Sequence, residues 1–347
     1  MDIAARLTVL GSLNMDISVT VASLPGPGET VLGGAAVFAP GGKGANQAVA
    51  AARLGGAGLP VAMVGCTGDD DFGAALRAAL RAEGIDDSAV RTVTGVPTGI
   101  AMITVDQAGE NIITVSPGAN HELGTADVSD IAGPANPAAS APGPAGAAGD
   151  VLVISAEVPA AVIRAALAAA AGRALRVLNL APAPPEAAEL VAASPEWLVV
   201  NESEAAAVLG RPVSGLADAA AAAADLVAAG ARNAVVTAGA AGAAHCGRPA
   251  VGGGPQQADG GGPPLGEGKP VVVTVPGFKV QATDTVGAGD TFVGALAVAL
   301  AGGVRPADAV TAAAAAGATA ATRPGTQSGM PRPADILAVT GHRWPLA

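Results

Sequence analysis

DTVGAGDTF, residues 284–292, places a glycine turn directly before an apolar segment at residues 293–304. Such a turn points successive backbone N–H groups into one space at a helix N-terminus, where the helix dipole favours an anion such as phosphate. Asp290 would lie beside that anion and could take a proton from an attacking hydroxyl. The stretch indicates phosphoryl transfer to an alcohol, with a simple strand-to-helix turn capped by Asp as the alternative.

A second glycine cluster, GGKGANQ at residues 41–47, leads into the Ala-rich segment 48–55. That segment predicts a helix that ends at Gly55. The glycines would let the backbone approach a small ligand closely, and Lys43 and Asn46 supply polar groups beside it. The residue order differs from that of a Walker A loop, and a helix-entry turn with an incidental lysine is the alternative.

The N-terminal segment LTVLGSLNMD, residues 7–16, predicts a short apolar strand with Asn14 and Asp16 at its C-terminal end. Ligands of open α/β sheets bind at the carboxyl ends of strands. Residues two apart in an extended segment point the same way, so both side chains could hold neighbouring hydroxyls of one polyol. Turn formation is the alternative role for this pair.

Short β-branched runs alternate with Ala-rich helical stretches along the chain. The runs are residues 61–64, 151–154, 177–180, 198–200 and 234–236, and the helical stretches include residues 160–171 and 218–229. This alternation predicts an α/β fold, with a doubly wound, mostly parallel sheet and helices on both faces. Residues 15–40 and 92–118 instead alternate apolar and polar residues, which predicts a small antiparallel β sheet apart from the main one.

Length and charge narrow the classes of function. The 347 residues are expected to form a single domain, with flexible Gly- and Pro-rich insertions at about 133–149 and 247–270. A net charge of −11 with 2% aromatic residues argues against nucleic acid as a partner. The sequence lacks the pattern of a signal peptide or a spanning helix, so a cytoplasmic protein with no membrane partner is expected.

The cysteines and histidines do not indicate a reactive centre. Cys66 and Cys246 cannot build a disulfide framework and have no metal-binding spacing. The three histidines accompany no nucleophile motif, and we expect each at the surface or in a loop: His121, His245 and His342.

Taken together and in order, these motifs resemble the ribokinase family, the PfkB carbohydrate kinases. Residues 41–55 resemble the first signature of the family and residues 284–296 resemble the second. Shorter blocks match between about residues 7 and 331, at 11–16, 27–30, 65–70, 118–120, 179–184, 201–204 and 275–278.

The resemblance implies ATP-dependent phosphorylation of the 5-hydroxyl of D-ribose. It makes Asp290 the general base, with a backbone anion hole formed by Gly287, Ala288 and Gly289. It also implies that the sugar is contacted by Asn14, Asp16, Gly42, Lys43, Asn46, Glu157 and Asp290. A small β lid over the sugar and a homodimer formed through that lid are implied as well.

The resemblance further implies an ATP site with Mg²⁺ and a monovalent cation, usually potassium. Asn201 and Glu204 would organise the phosphates and, indirectly, Mg²⁺, while Thr237, Gly239 and Gly289 would contact the nucleotide. The monovalent cation would be held by Asp284, Val286, Ala320, Arg323 and Gly325. Two positions depart from the family pattern: Ala313 where Asn or His often flanks adenine, and Gly329 where another residue often helps to bind the cation.

Two other functions stay open on the sequence alone. A sibling kinase could phosphorylate deoxyribose, fructose, adenosine or another nucleoside with the same machinery. A sugar- or nucleotide-binding regulator could use the same scaffold without catalysis, since a fold does not fix a function.

Overall fold

The computed structural model describes residues 5–129, 131, 149–247 and 269–347. The predicted insertions at about 133–149 and 247–270 fall outside the described residues, apart from their end positions. None of the helices in these ranges combines the length and the apolar character that a membrane crossing requires.

The described residues alternate between strands and helices, as the sequence predicts. The strands are β1 (Leu7–Leu10), β2 (Asn14–Thr20), β3 (Val37–Gly41), β4 (Val61–Gly68), β5 (Asp86–Val93), β6 (Gly99–Val105), β7 (Asn111–Ser116), β8 (Val151–Ser155), β9 (Leu175–Asn179), β10 (Trp197–Asn201), β11 (Asn233–Thr237), β12 (Gly242–Gly247) and β13 (Val271–Pro276). The helices are α1 (Lys43–Gly55), α2 (Asp71–Ala82), α3 (Ala160–Ala170), α4 (Ala187–Ala192), α5 (Glu202–Leu209), α6 (Gly215–Ala228), α7 (Ala288–Ala301), α8 (Pro306–Ala320), α9 (Thr326–Gly329) and α10 (Pro333–Thr340).

Within the described ranges, nine strands form the main sheet in the order β13-β12-β11-β10-β9-β8-β1-β4-β5. Neighbouring strands from β11 to β5 pair in parallel, whereas β12 and β13 pair antiparallel at one edge. The prediction of a mostly parallel sheet is confirmed. Its central strands are short apolar runs because both of their faces are covered.

Two apolar clusters cover the two faces of the main sheet. Val151 and Val153 of β8 point to the cluster that includes α1, α7 and α8. Leu152 and Ile154 of the same strand point to the cluster that includes α3 and α6. This alternation along one strand confirms the prediction of helices on both faces.

A separate four-stranded sheet has the order β3-β2-β6-β7 in the described part of the chain. Its outer pairings, β2 with β3 and β6 with β7, are antiparallel, as predicted. Its central pairing, β2 with β6, is parallel, so the small sheet is mixed. A parallel pair needs a long crossover, and the chain between β2 and β6 supplies one that passes through the main sheet at β4 and β5.

His245 does not lie at the surface or in a loop, so that expectation was wrong. It is buried on β12 and its ring stacks on that of Trp197, with 5.0 Å between the centroids. Its Nε2 lies 3.2 Å from Oδ1 of Asn233. Burial lowers the pKa of His245 to about 4, so the ring is neutral at pH 7 and has a packing role.

Helices α1 and α7 pack closely at Gly294. A Cβ added to Gly294 would lie 2.7 Å from both the Ala50 Cβ and the carbonyl oxygen of Gln47. Only glycine therefore fits this crossing without a shift of backbone. The close packing brings the first turn of α7 against the first turn of α1.

Candidate active site

Asp290 lies in the first turn of α7 and its side chain is buried. The Nδ2 of Asn46 donates to Asp290 Oδ2 over 2.9 Å, and the Nε2 of Gln47 donates to Oδ1 over 3.1 Å. The two donors come from α1, so the two glycine motifs of the sequence meet at this carboxylate. Gln47 is a site residue that the sequence did not predict individually.

The turn before Asp290 is open toward an incoming anion. Gly287 caps α7 in the left-handed region, with φ of 78°, where a residue with a Cβ would be strained. A Cβ added to Gly289 would meet nothing within 4 Å, which leaves the backbone of the first helical turn accessible. The first N–H groups of a helix have no intrahelical acceptor and carry the positive end of its dipole.

The sequence predicted Asn14 and Asp16 at the C-terminal end of the first strand. In the structure both residues lie at the start of β2 instead. The chain leaves the main sheet after Leu10 and enters the small sheet at Asn14. The two side chains therefore lie where the sheets meet, on the element that connects them. Both are buried.

Asn120 fixes the orientation of Asn14. Its Nδ2 donates to Asn14 Oδ1 over 2.8 Å, and its Oδ1 accepts from the backbone N–H of Leu13 at 2.9 Å. With its oxygen engaged, Asn14 keeps its amide nitrogen for a ligand hydroxyl. Asn120 was not among the predicted site residues, although it lies in a block that matches the family.

Ser12 fixes the orientation of Glu157, which follows β8, in the same way. Its Oγ donates to Glu157 Oε2 over 2.6 Å, and the backbone N–H of Lys43 lies 3.4 Å from the same oxygen. These bonds place Glu157, which is predicted to contact the sugar, beside the turn that begins α1. Ser12 is completely buried and was also missed by the sequence prediction.

Glycines let the first glycine motif lie directly against the start of β2. Gly42 has φ of 89°, and an added Cβ would lie 2.6 Å from the backbone nitrogen of Asn14. A Cβ on Gly41 would collide with the carboxylate of Asp16. The glycines of the first motif are therefore required for contact with β2, apart from any contact with a ligand.

Lys43 is the positive charge within a group of carboxylates. The negative charge of Asp290 is the largest cause of a raised pKa of Lys43, and Glu157, Glu204 and Asp16 raise that pKa further. Burial opposes them by lowering the pKa of Lys43. Burial raises the pKa of Asp16 to about 7, helped by Glu157 and Asp290 and opposed by Lys43. Burial also raises the pKa of Glu204. These side chains therefore form one electrostatic unit, although they come from separate elements.

A cavity of about 750 Å³ opens on the other side of the glycine turn. Thr237, Gly239 and Gly289, all predicted to contact the nucleotide, line it together with Asn201. Its remaining wall is largely small or apolar, including Val280, Ala282, Phe292, Ala314, Gly317, Ala318 and Ala321. The cavity is large enough for a nucleotide-sized ligand with an apolar ring.

Ala313 is buried, and its neighbour Ala314 lines this cavity. The polar side chain that often flanks adenine in the family has no counterpart at these positions. Shape and apolar contact would have to recognise the ring there.

Asn201 and Glu204 form a capping box at the start of α5. The N–H of Glu204 donates to Asn201 Oδ1 at 2.9 Å, and Glu204 Oε2 accepts from the N–H of Asn201 at 2.8 Å. The box leaves the second carboxylate oxygen of Glu204 available. Among the described residues there is no group of three His, Cys, Asp or Glu side chains that could hold a metal.

The residues predicted to hold a monovalent cation come together next to α7. Asp284 accepts from the N–H of Val286 at 3.0 Å and from that of Gly325 at 2.9 Å. The carbonyl oxygens of Arg323 and Ala320 lie 3.1 and 3.5 Å from the position that a Cβ on Gly329 would take. Carboxylate and carbonyl oxygens are ligand types that suit a monovalent cation, and the residues predicted to hold potassium supply both.

The sequence profile described as "pfkB family carbohydrate kinase" matches residues 4–333. A ribokinase of Schizosaccharomyces pombe is 34% identical over 97% of this chain and 97% of its own length. The structure of a ribokinase from Thermotoga maritima has a TM-score of 0.75 at 30% identity, covering 96% of this chain and 98% of that one. An Arabidopsis thaliana ribokinase in complex with ribose and ATP has a TM-score of 0.72 at 26% identity, covering 96% and 97%.

The family match extends over nearly the whole chain and includes both glycine motifs that meet at Asp290. The chain therefore belongs to the pfkB family of carbohydrate kinases, and it is a sugar kinase.

Proposed function

We propose that the protein phosphorylates the 5-hydroxyl of D-ribose with ATP, giving ribose 5-phosphate and ADP. The observation that carries the proposal is the position of Asp290 between two sites. On one side lie the hydrogen-bonding groups of the sugar site, and on the other lies the cavity that ends at Gly289. The similarity to ribokinases over nearly the full chain supports ribose as the sugar.

The proposed sugar site contains a cluster of polar and charged side chains. Asn14, Asp16, Lys43, Asn46 and Glu157 offer donors and acceptors within one small region. A site that pairs each hydroxyl discriminates against analogues that lack one, because a buried polar group is then left unpaired. This arrangement favours a small pentose over a nucleoside, whose base needs an apolar pocket.

In the proposed reaction the 5-hydroxyl oxygen attacks the γ-phosphorus of ATP. The bond from that oxygen to phosphorus forms, the bond from phosphorus to the bridging β,γ-oxygen breaks, and ADP leaves. Asp290 accepts the hydroxyl proton, while the N–H groups of the turn at 287–289 stabilise the charge on the transferred group. A loose transition state releases the proton late, so a carboxylate is an adequate base.

Mg²⁺ would bind the β- and γ-phosphates of ATP and neutralise their charge. Glu204, whose carboxylate is free at one oxygen, would act on its hydration shell, with Asn201 positioning Glu204 through the capping box. Mg²⁺ keeps several water ligands in such sites, so one indirect carboxylate is sufficient.

Potassium would be held by Asp284 and nearby backbone oxygens, one turn before the anion hole. Asp284 ties the segment at Val286 to that at Gly325, so a cation there would stabilise the conformation of the glycine turn. We expect turnover to be higher in potassium than in sodium buffer. Equal turnover in the two buffers would exclude this role.

The small sheet is proposed to cover the sugar and to form a homodimer. By register, Val37, Ile113 and Val115 lie on the same face of that sheet as Asp16. These three apolar side chains are 44–58% exposed. A second subunit on that face would bury them and close the sugar site from the same side.

The test of the proposed function is ADP release with Mg-ATP and a panel of ribose, deoxyribose, fructose and adenosine. We expect the largest kcat/KM for ribose, and a product with phosphate on the 5-oxygen by ³¹P NMR. Preference for another acceptor would contradict ribose and keep the kinase chemistry. A folded protein that binds ATP and phosphorylates none of the four would contradict the proposal.

A further inference from the structure

Gln47 lies behind the catalytic carboxylate and is fully buried, with 0% exposure. Its Nε2 donates to Asp290 Oδ1 over 3.1 Å and to Asn179 Oδ1 over 2.9 Å. Asn179 in turn donates from Nδ2 to the carbonyl oxygen of Val199 over 3.1 Å. These bonds connect Asp290 to β9 and β10 of the main sheet.

The two donors to Asp290, Asn46 and Gln47, differ in their location and in their other hydrogen-bond partners. Asn46 belongs to the proposed sugar site, and its Oδ1 also accepts from the Nε2 of Gln327 at 3.1 Å. The Gln47 amide has two hydrogens and donates one to Asp290 and one to Asn179, so none is left for a sugar hydroxyl. It is therefore the donor that remains on Asp290 when Asn46 binds a hydroxyl.

The amide of Gln47 also has a structural cost. Its Oε1 is buried and finds no hydrogen-bond partner among the described residues. A buried acceptor without a partner lowers stability, and an apolar residue of the same length would avoid that loss. Packing alone therefore does not account for glutamine at this position.

We propose that Gln47 is a positioning residue, which holds the Asp290 carboxylate in one orientation at the N-terminus of α7 during phosphoryl transfer. This proposal rests on the proposed function, because it assigns Gln47 a role in the same reaction. Gln47 acts through Asp290 and need not touch the sugar or ATP. Misplacement of a reacting group by about 1 Å costs on the order of 100-fold in rate.

Gln47→Met is the first variant, since methionine keeps the unbranched length and removes the donor. We expect kcat at saturating ribose to fall about 10- to 100-fold, with KM for ribose within about threefold of wild type. Thr67→Val is the matched control, because it removes another fully buried polar group whose hydroxyl finds no partner among the described residues. It should leave both constants unchanged.

Gln47→Glu is the second variant and separates positioning from packing. It keeps the size of the side chain but places a second carboxylate against Asp290, so the pair retains a proton to higher pH. Lys43, Asp16 and Glu204, which interact electrostatically with Asp290, are unchanged in this variant. We expect its kcat, relative to wild type, to recover as the pH rises from 6 to 9.

Three outcomes would overturn the proposal. A folded Gln47→Met protein with kcat within twofold of wild type would show that no positioning is needed. A Gln47→Glu protein with a pH-independent deficit would show a packing role only. Absence of ribose turnover in the wild type would instead overturn the proposed function, and the role of Gln47 in it.

Discussion

The chemistry proposed for Asp290 depends on side chains that are distant in sequence. Asn46 and Gln47 are separated from Asp290 by 244 and 243 positions, and Ser12 is separated from Glu157 by 145. The motifs themselves predicted Asp290, Lys43 and Asn46, because each lies beside glycines that mark a ligand site. The supporting roles of Ser12 and Gln47 follow only from the fold, which decides which polar groups meet.

The raised pKa of Asp16 predicts that ribose affinity depends on pH. Burial and neighbouring carboxylates raise its pKa from 3.8 to about 7 in the sugar-free protein. Ribose hydroxyls donate to an ionised carboxylate, so sugar binding favours loss of the proton. We expect ribose affinity to rise several-fold from pH 6 to pH 8 and then to level off. Isothermal titration calorimetry would measure this change, and a pH-independent Kd would contradict it.

The same pKa also predicts the effect of Asp16→Asn on stability. Because the folded-state pKa lies above 3.8, Asp16 stabilises the fold at low pH, and this contribution is lost as pH rises toward 7. Asp16→Asn removes the cost of ionising a buried group, so we expect Tm at pH 8 to rise by roughly 2–4 °C. Ribose affinity should fall in the same variant. A Tm below that of wild type at pH 8 would contradict the sign of the shift.

Among the secondary-structure elements, α1 and α7 cross so that side chains of α1 contact Asp290 on α7. The sequence predicted both helices, because each begins at a glycine motif and continues as an apolar run. It could not predict that they pack on each other, since that contact depends on the order of strands in the sheet. Gly294 allows the contact, and the contact places Gln47 beside Asp290.

Gly294→Val tests this crossing. Its Cβ would lie 2.7 Å from backbone and from the Ala50 Cβ, so we expect the free energy of unfolding to fall by about 2 kcal/mol. Because α7 carries Asp290, kcat should fall as well. Gly124→Val is the matched control, since the nearest atom to its added Cβ is 3.7 Å away. Urea denaturation that shows equal stability in the two variants would argue against a close-packed crossing.

Over the whole molecule, the alternation of strands and helices was sufficient to predict the main sheet. Central strands such as Leu7–Leu10 and Val151–Ser155 are apolar on both faces, which is typical of parallel sheets with helices on each side. The parallel pairing of Asn14–Thr20 with Gly99–Val105 was not predictable in the same way. Their alternating patterns fix which face is buried but not the direction of the partner strand.

The proposed homodimer can be tested by mutation on the exposed face of the small sheet. Ile113→Asp places a charge on the exposed face of the small sheet, so we expect a shift from dimer to monomer in analytical ultracentrifugation. Ribose affinity should fall in parallel, because the face also carries Asp16. Val272→Asp, on the edge strand of the main sheet, is the control and should leave the mass unchanged. Wild-type protein that sediments as a monomer at micromolar concentration would contradict the dimer.

The most direct test of Asp290 as the general base is single-turnover phosphorylation of ribose by Asp290→Asn, with ribose binding measured on the same sample. The amide keeps the shape of the carboxylate but cannot accept the hydroxyl proton. We predict that the rate falls about 10²- to 10⁴-fold while the Kd for ribose stays within about tenfold of wild type. Asp308→Asn, an exposed carboxylate on α8, should behave as wild type. A near-normal rate in Asp290→Asn would contradict the assignment of Asp290 as the general base.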